Sequence, residues 1–221
     1  MLAAVHQAPG SDLAHLYLAR LYRHLGWFDK EDAELRTISA INPFTYEEVK
    51  RLHANVLGDL NRCSESFAAF REAKPTAGDP YPVWQALADI RLRCGEIHPV
   101  REEIEEQYRK SNPDAPDHAM TVALLALARL RDGVHDVSAL EREALSVDQR
   151  AGHFHHTSLV LAEICALRGN APRAVRYLRQ TAETGMPSIT NFENDPFLAA
   201  TRKTAEYQNL IAELRRREPA H

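Results

Sequence analysis

At 221 residues, with 44% apolar and only 7% aromatic side chains, the chain suffices for one large domain or a continuous repeat array, with a core built mainly from Leu, Ala, Val and Ile. A formal net charge of −4 gives it no global attraction to phosphate backbones or anionic lipid, so neither nucleic acid nor a membrane surface is an expected partner. It has no run of about 18 apolar residues, the length of a transmembrane helix, and the opening MLAAV lacks both the core and the basic flank of a signal peptide.

Taken in order, the elements fall between regularly placed glycines. Gly26, Gly58, Gly95, Gly133 and Gly169 are separated by 32, 37, 38 and 36 residues. A glycine between two apolar-periodic stretches is where a helix stops in a left-handed turn that side chains resist. Leu13, Leu16, Ala19 and Leu21 lead to Gly26, and Leu35, Ile38 and Ile41 form a second helix that ends at Asn42-Pro43. Val49, Leu52 and Val56 lead to Gly58, then Phe67 and Phe70 run to Pro75. Trp84, Leu87, Ala88 and Leu92 lead to Gly95, then Val100, Ile104 and Tyr108. Val122, Leu125, Ala126 and Leu130 lead to Gly133, then Val137, Leu140 and Ala144. Leu161, Ala162 and Cys165 lead to Gly169, then Ala174, Leu178 and Ala182. Spacings of three and four throughout are helical. The arithmetic predicts an all-α solenoid of about a dozen helices in antiparallel pairs, with no sheet.

The three cysteines, Cys63, Cys94 and Cys165, cannot all pair within one chain, and none forms a CxxC. Each lies in an apolar helical stretch, the pattern of small buried thiols in a reducing, cytoplasmic compartment.

These residues resemble the tetratricopeptide repeat family, whose 34-residue units are helix–turn–helix pairs. Trp84, Leu87, Ala88 and Gly95 keep the family's order of bulky, Leu, small and turn glycine, and Leu161-Ala162, Gly169 and Ala174 repeat it. Gly26, Phe28 and Ile41-Asn42-Pro43 match the turn and close of a unit. The chain departs where Glu31 takes a small position and where His135 and Ser138 replace a turn aromatic and an Ala. The resemblance covers about residues 11–184 in five repeats, with 1–10 as the end of a preceding half-repeat and 185–221 as a C-terminal linker and capping helix. Pro9, 34 residues before Pro43, favours a chain cut from a longer protein over one that starts with a half-repeat as its cap. Asp195-Pro196-Phe197-Leu198, Arg202, Tyr207 and Leu210 are similar to the closing segment of many bacterial members, whose repeats often follow a serine/threonine kinase, a nucleotide cyclase or a transcription regulator.

No motif of phosphate binding, zinc hydrolysis or nucleophilic catalysis occurs, so no enzyme and no cofactor are expected. His153, His155 and His156 form the only dense histidine cluster. His153 and His156 share a helical face, but the nearest carboxylates, Asp148 and Glu163, complete no specific metal site, and the expected reading is a solvated helix start. Glu102, Glu103, Glu105 and Glu106 read as the wet face of a helix laced to Arg101, Arg109 and Lys110.

The resemblance implies that first helices line a concave groove. Residue by residue this places Arg20, Arg23, Asn55, Gln85, Asp89, Arg93, Leu127 and Arg131 in the lining, with Leu13, Leu16, Thr45, Glu48, Leu52, Pro82 and Glu163 among others. Leu16 and Glu48 stand where chaperone-binding members carry a carboxylate clamp, so that clamp is not expected. The function implied is a non-catalytic interaction scaffold that holds a peptide or partner domain, its ligand an acidic segment with apolar residues beside the acids. The alternative is a regulatory arm of a larger bacterial signalling enzyme or transcription regulator.

Overall fold

The computed structural model describes residues 1–42, 47–73, 83–115, 117–146 and 154–217. Pro43, Thr45, Pro75, Pro82, Asp148 and His153 lie outside the described residues, as does the side chain of Glu48. The described residues form thirteen α-helices and two short 3-10 turns, with no strand. In chain order the helices are α1 (Leu2–Gln7), α2 (Asp12–Leu25), α3 (Phe28–Ile41), α4 (Glu47–Asp59), α5 (Cys63–Glu72), α6 (Val83–Arg93), α7 (Ile97–Lys110), α8 (His118–Arg131), α9 (Ser138–Ser146), α10 (Phe154–Leu167), α11 (Ala171–Glu183), α12 (Ile189–Asn194) and α13 (Ala205–Arg217). The 3-10 turns are Pro196–Leu198 and Thr201–Lys203. The architecture is the expected all-α solenoid, and the chain divides into two compact units, Met1–Val83 and Trp84–His221.

In the first unit, Ser11 caps α2 by accepting the Ala14 N–H at 3.2 Å, and Asp12 favours the positive end of that helix. The helix ends at Gly26, where φ is 73°. α3 returns along α2, α4 follows α3, and α5 returns along α4. Leu16, Ala19, Leu35, Ile38, Val49 and Leu52 close over this core. α1 packs on α2.

One expected turn is elsewhere. Gly58 lies buried inside α4, and the left-handed residue that ends the helix pair's first arm is Asn61, with φ 58°. Asparagine tolerates that region because its short polar side chain bonds locally. Asn61 is 35 residues after Gly26 and 34 before Gly95, so the rhythm tightens once the correct residue is read.

In the second unit, α8 packs on α7, α9 and α10, and α10 on α11. Ala123, Ala126, Ala128 and Ala162 are fully buried, which lets the helix axes approach. An arginine at 162 forces charge and volume into that crossing. Ala162→Arg is expected to cost about 3 kcal/mol or more in equilibrium denaturation; an unchanged curve contradicts the packing.

α11 begins with Asn170 accepting the Arg173 N–H at 3.1 Å and with Pro172 in its first turn. α13 then lies on α11 and buries Tyr207, Leu210, Ile211 and Leu214. Removing residues 205–221 therefore uncovers an apolar face of the last repeat. Association or a lower melting temperature is the expected result, and a monomer with unchanged melting temperature rules the capping role out. Among the cysteines only Cys165 is buried, where loss of water pushes its thiol up to about 11. Cys63 and Cys94 are half-buried, since they stand at helix ends instead of on core faces.

Candidate functional site

On the first unit, α2 carries apolar residues on two faces. Leu16 and Ala19 enter the core, while Leu13, Tyr17 and Leu21 are 56%, 46% and 40% exposed. Their i, i+4, i+8 spacing sets them in one stripe about 12 Å long. The Arg20 guanidinium lies 5.8 Å from the Tyr17 ring centre, within cation–π range. Tyr17 and Leu21 were not among the expected groove residues. Their signal was an α2 segment with more apolar positions than one buried face needs.

Arg23 and Asn55, expected in the lining, turn inward. Arg23 pairs with Asp59 at 2.9 Å, with both side chains largely buried, and Asn55 is buried. Beside that pair lies Glu31, fully buried, its carboxyl oxygens without a hydrogen bond among the described residues. Desolvation raises its pKa from 4.5 to about 8, with Arg23 pulling down and Asp59 and Asp32 pushing up. The departure from the repeat pattern at 31 thus places inside the fold an acid whose burial favours its neutral form.

On the second unit, Gln85 is buried and donates to the Asp117 carbonyl at 3.0 Å and to Thr121 Oγ1 at 2.9 Å, tying α6 to α8. Leu127 is core. Asp89 and Arg93 pair at 2.7 Å with little exposure. Around them lie two fully buried carboxyls, Glu163 of α10 and Asp195. Both are raised above the usual carboxylate range by desolvation; Arg93 opposes this, while Asp89 adds to it. Asp195 also caps the turn Pro196–Leu198 by accepting the Phe197 N–H at 2.7 Å. That turn packs on α10, and Arg131 of α8, which unlike Arg20, Arg23 and Arg93 is exposed, lies 5.1 Å from the Phe197 ring centre. The face of α10 expected to bind a partner thus carries the chain's own turn Pro196–Leu198.

His155 and His156 do not form a solvated helix start. His155 is buried, its carbonyl accepts from Thr181 Oγ1 at 3.3 Å, and His156 is half-buried.

A third cluster joins α7, α8 and α9. Ser111 Oγ lies 2.9 Å from His118 Nδ1, and His118 Nε2 lies 3.1 Å from Glu143 Oε1. The residue types are those of an acyl-transfer triad. However, Ser111 Oγ donates to the Tyr108 carbonyl at 2.8 Å, and the Tyr108 hydroxyl donates to Glu143 at 2.9 Å. The hydroxyl and carboxylate are engaged in holding helix ends together. Among the described residues, no helix is long and apolar enough to cross a membrane.

No protein-family model matches the chain, and no curated protein matches it in sequence. Solved structures do match. A crystal structure of PilW, described as a widely conserved type IV pilus biogenesis factor, is 22% identical, covers 95% of this chain and 86% of its own, and gives a TM-score of 0.54. PilF of Pseudomonas aeruginosa is 16% identical, with 91% and 97% coverage and a TM-score of 0.51. Both are tetratricopeptide repeat proteins. With its turn residues, buried small positions and helix pairs in series, this chain has the tetratricopeptide repeat fold.

Proposed function

We propose that the protein is a non-catalytic interaction scaffold that holds a peptide or partner domain on the exposed face of α2. The observation that carries this is the stripe Leu13–Tyr17–Leu21, three large apolar side chains in register with a guanidinium beside them. Single exposed apolar residues need no explanation, whereas an aligned set marks a contact surface. Its ridge suits an amphipathic helical segment with apolar residues every third or fourth position and an acidic residue facing Arg20. The likeness to pilus biogenesis factors supports the reading through the fold, since helical solenoids present extended binding surfaces.

Apolar contact supplies most of the affinity, expected near micromolar, and Arg20 contributes orientation and a salt-dependent on-rate. The test is titration with a purified partner first captured by cross-linking. Replacing Leu13, Tyr17 and Leu21 together by serine should weaken binding at least about tenfold, or about 1.4 kcal/mol. Arg20→Glu should cost under about 1 kcal/mol, because that charge stays near solvent. Unaltered affinity in the triple variant, with helicity intact, moves recognition off α2.

A further inference from the structure

The second unit holds a buried acid cluster that the interaction reading does not use. Glu163 and Asp195 are almost entirely shut off from water and lie against each other, and Glu163 Oε2 and Asp195 Oδ2 receive no hydrogen bond from any donor among the described residues. Two carboxylates have no hydrogen to donate, so this contact exists only while one of them keeps a proton. Glu163 is the better holder, because Asp195 already accepts the Phe197 N–H, which favours its charge.

Neighbouring charges relieve the pair only in part. From α6, Arg93 is the cation, and Asp89 on the same helix pairs with it at 2.7 Å. Arg202, from the turn Thr201–Lys203, donates to the Asp195 backbone carbonyl at 2.5 Å instead of its carboxyl. Tyr207 of α13 is buried with its own ionisation pushed upward by desolvation, and Arg131 of α8 lies over Phe197. Three carboxyl groups therefore surround Arg93.

The two members of the pair belong to different parts of the chain. Glu163 is fixed in the middle of α10, whereas Asp195 sits in the segment 186–198, whose helix has six residues and whose 3-10 turn has three. That segment buries Met186, Ile189, Phe192, Phe197 and Leu198, and its turn Pro196–Leu198 packs on α10. We propose that Glu163 and Asp195 form a proton-dependent latch, which holds the segment 186–198 on α10 while the pair shares a proton and releases it when the proton is lost. Release uncovers an apolar face of the repeats, a second surface that is masked in the latched state. The latch needs no partner and no residue of α2, so it stands or falls separately from the docking surface on the first unit.

Hydrogen exchange of the whole chain, corrected for intrinsic rates, tests this from pH 6 to pH 10. Amides from Asn191 to Leu198 should lose protection at least tenfold as pH rises, while those of α8 and α10 keep theirs. Glu163→Gln retains an N–H donor for Asp195 and should remove the pH dependence. Asp195→Asn gives the same readout with the turn cap preserved, should the first variant fail to fold. Protection that stays level to pH 10 in the unmodified protein, or a variant that loses it in parallel with the unmodified protein, overturns the latch.

Discussion

Glu31→Gln is expected to make the first unit more stable, by an amount that grows with pH. The folded-state pKa, about 8, lies above the ordinary 4.5, so the folded unit keeps a proton that the unfolded chain gives up. The stabilisation is therefore fully present below pH about 4.5 and is lost progressively until pH about 8. At about 1.4 kcal/mol per pH unit, the gap between the variant and the unmodified protein should widen by about 3–5 kcal/mol across that window. Glutamine keeps the shape and cannot ionise. Trp27, beside Tyr22 in the first unit, reports unfolding by fluorescence in a Trp84→Phe background. Parallel pH profiles for the two proteins would show that Glu31 is solvated.

Arg93→Glu is expected to cost about 3–5 kcal/mol of stability in the second unit, because it removes the cation from among two buried carboxyl groups and the half-buried Asp89 and adds a further acid. Arg131→Glu, at an exposed position, should cost about 1 kcal/mol or less, the loss of one cation–π contact with Phe197. Trp84 fluorescence in denaturant separates the two. The contrast matters for function, since the repeat pattern puts both arginines in a ligand groove. Loss of partner binding in an Arg93 variant reads as loss of fold unless stability is measured beside it. A mild effect at Arg93 would mean that water reaches the cluster.

The turn positions and helix periods were legible in the chain because they depend on neighbours a few residues away. Gly26, Gly95, Gly133 and Gly169 adopt positive φ as their sequence context requires. Gly58 misled because asparagine fills the same conformational role three residues later. Ala162, fully buried, was legible as a small residue in a long apolar run.

The candidate site was legible only in outline. Glu163 and Asp195 could each be singled out, one as a lone carboxylate in an apolar helix and the other as part of a closing segment. Their meeting requires the strand of chain after α11 to return over α10, which no local pattern encodes. Helical periodicity assigns a residue to a face of its helix, and so the sequence determined an all-α repeat solenoid with its core positions. Whether that face meets water, a partner or another part of the same chain depends on contacts between residues far apart in sequence. The tertiary structure decided that Arg23, Asn55, Gln85, Asp89, Arg93 and Leu127 turn inward or lie largely buried, and that the outward face of α2 stays exposed. The physical reason is that desolvation of a side chain is set by everything packed around it, not by its spacing along one helix.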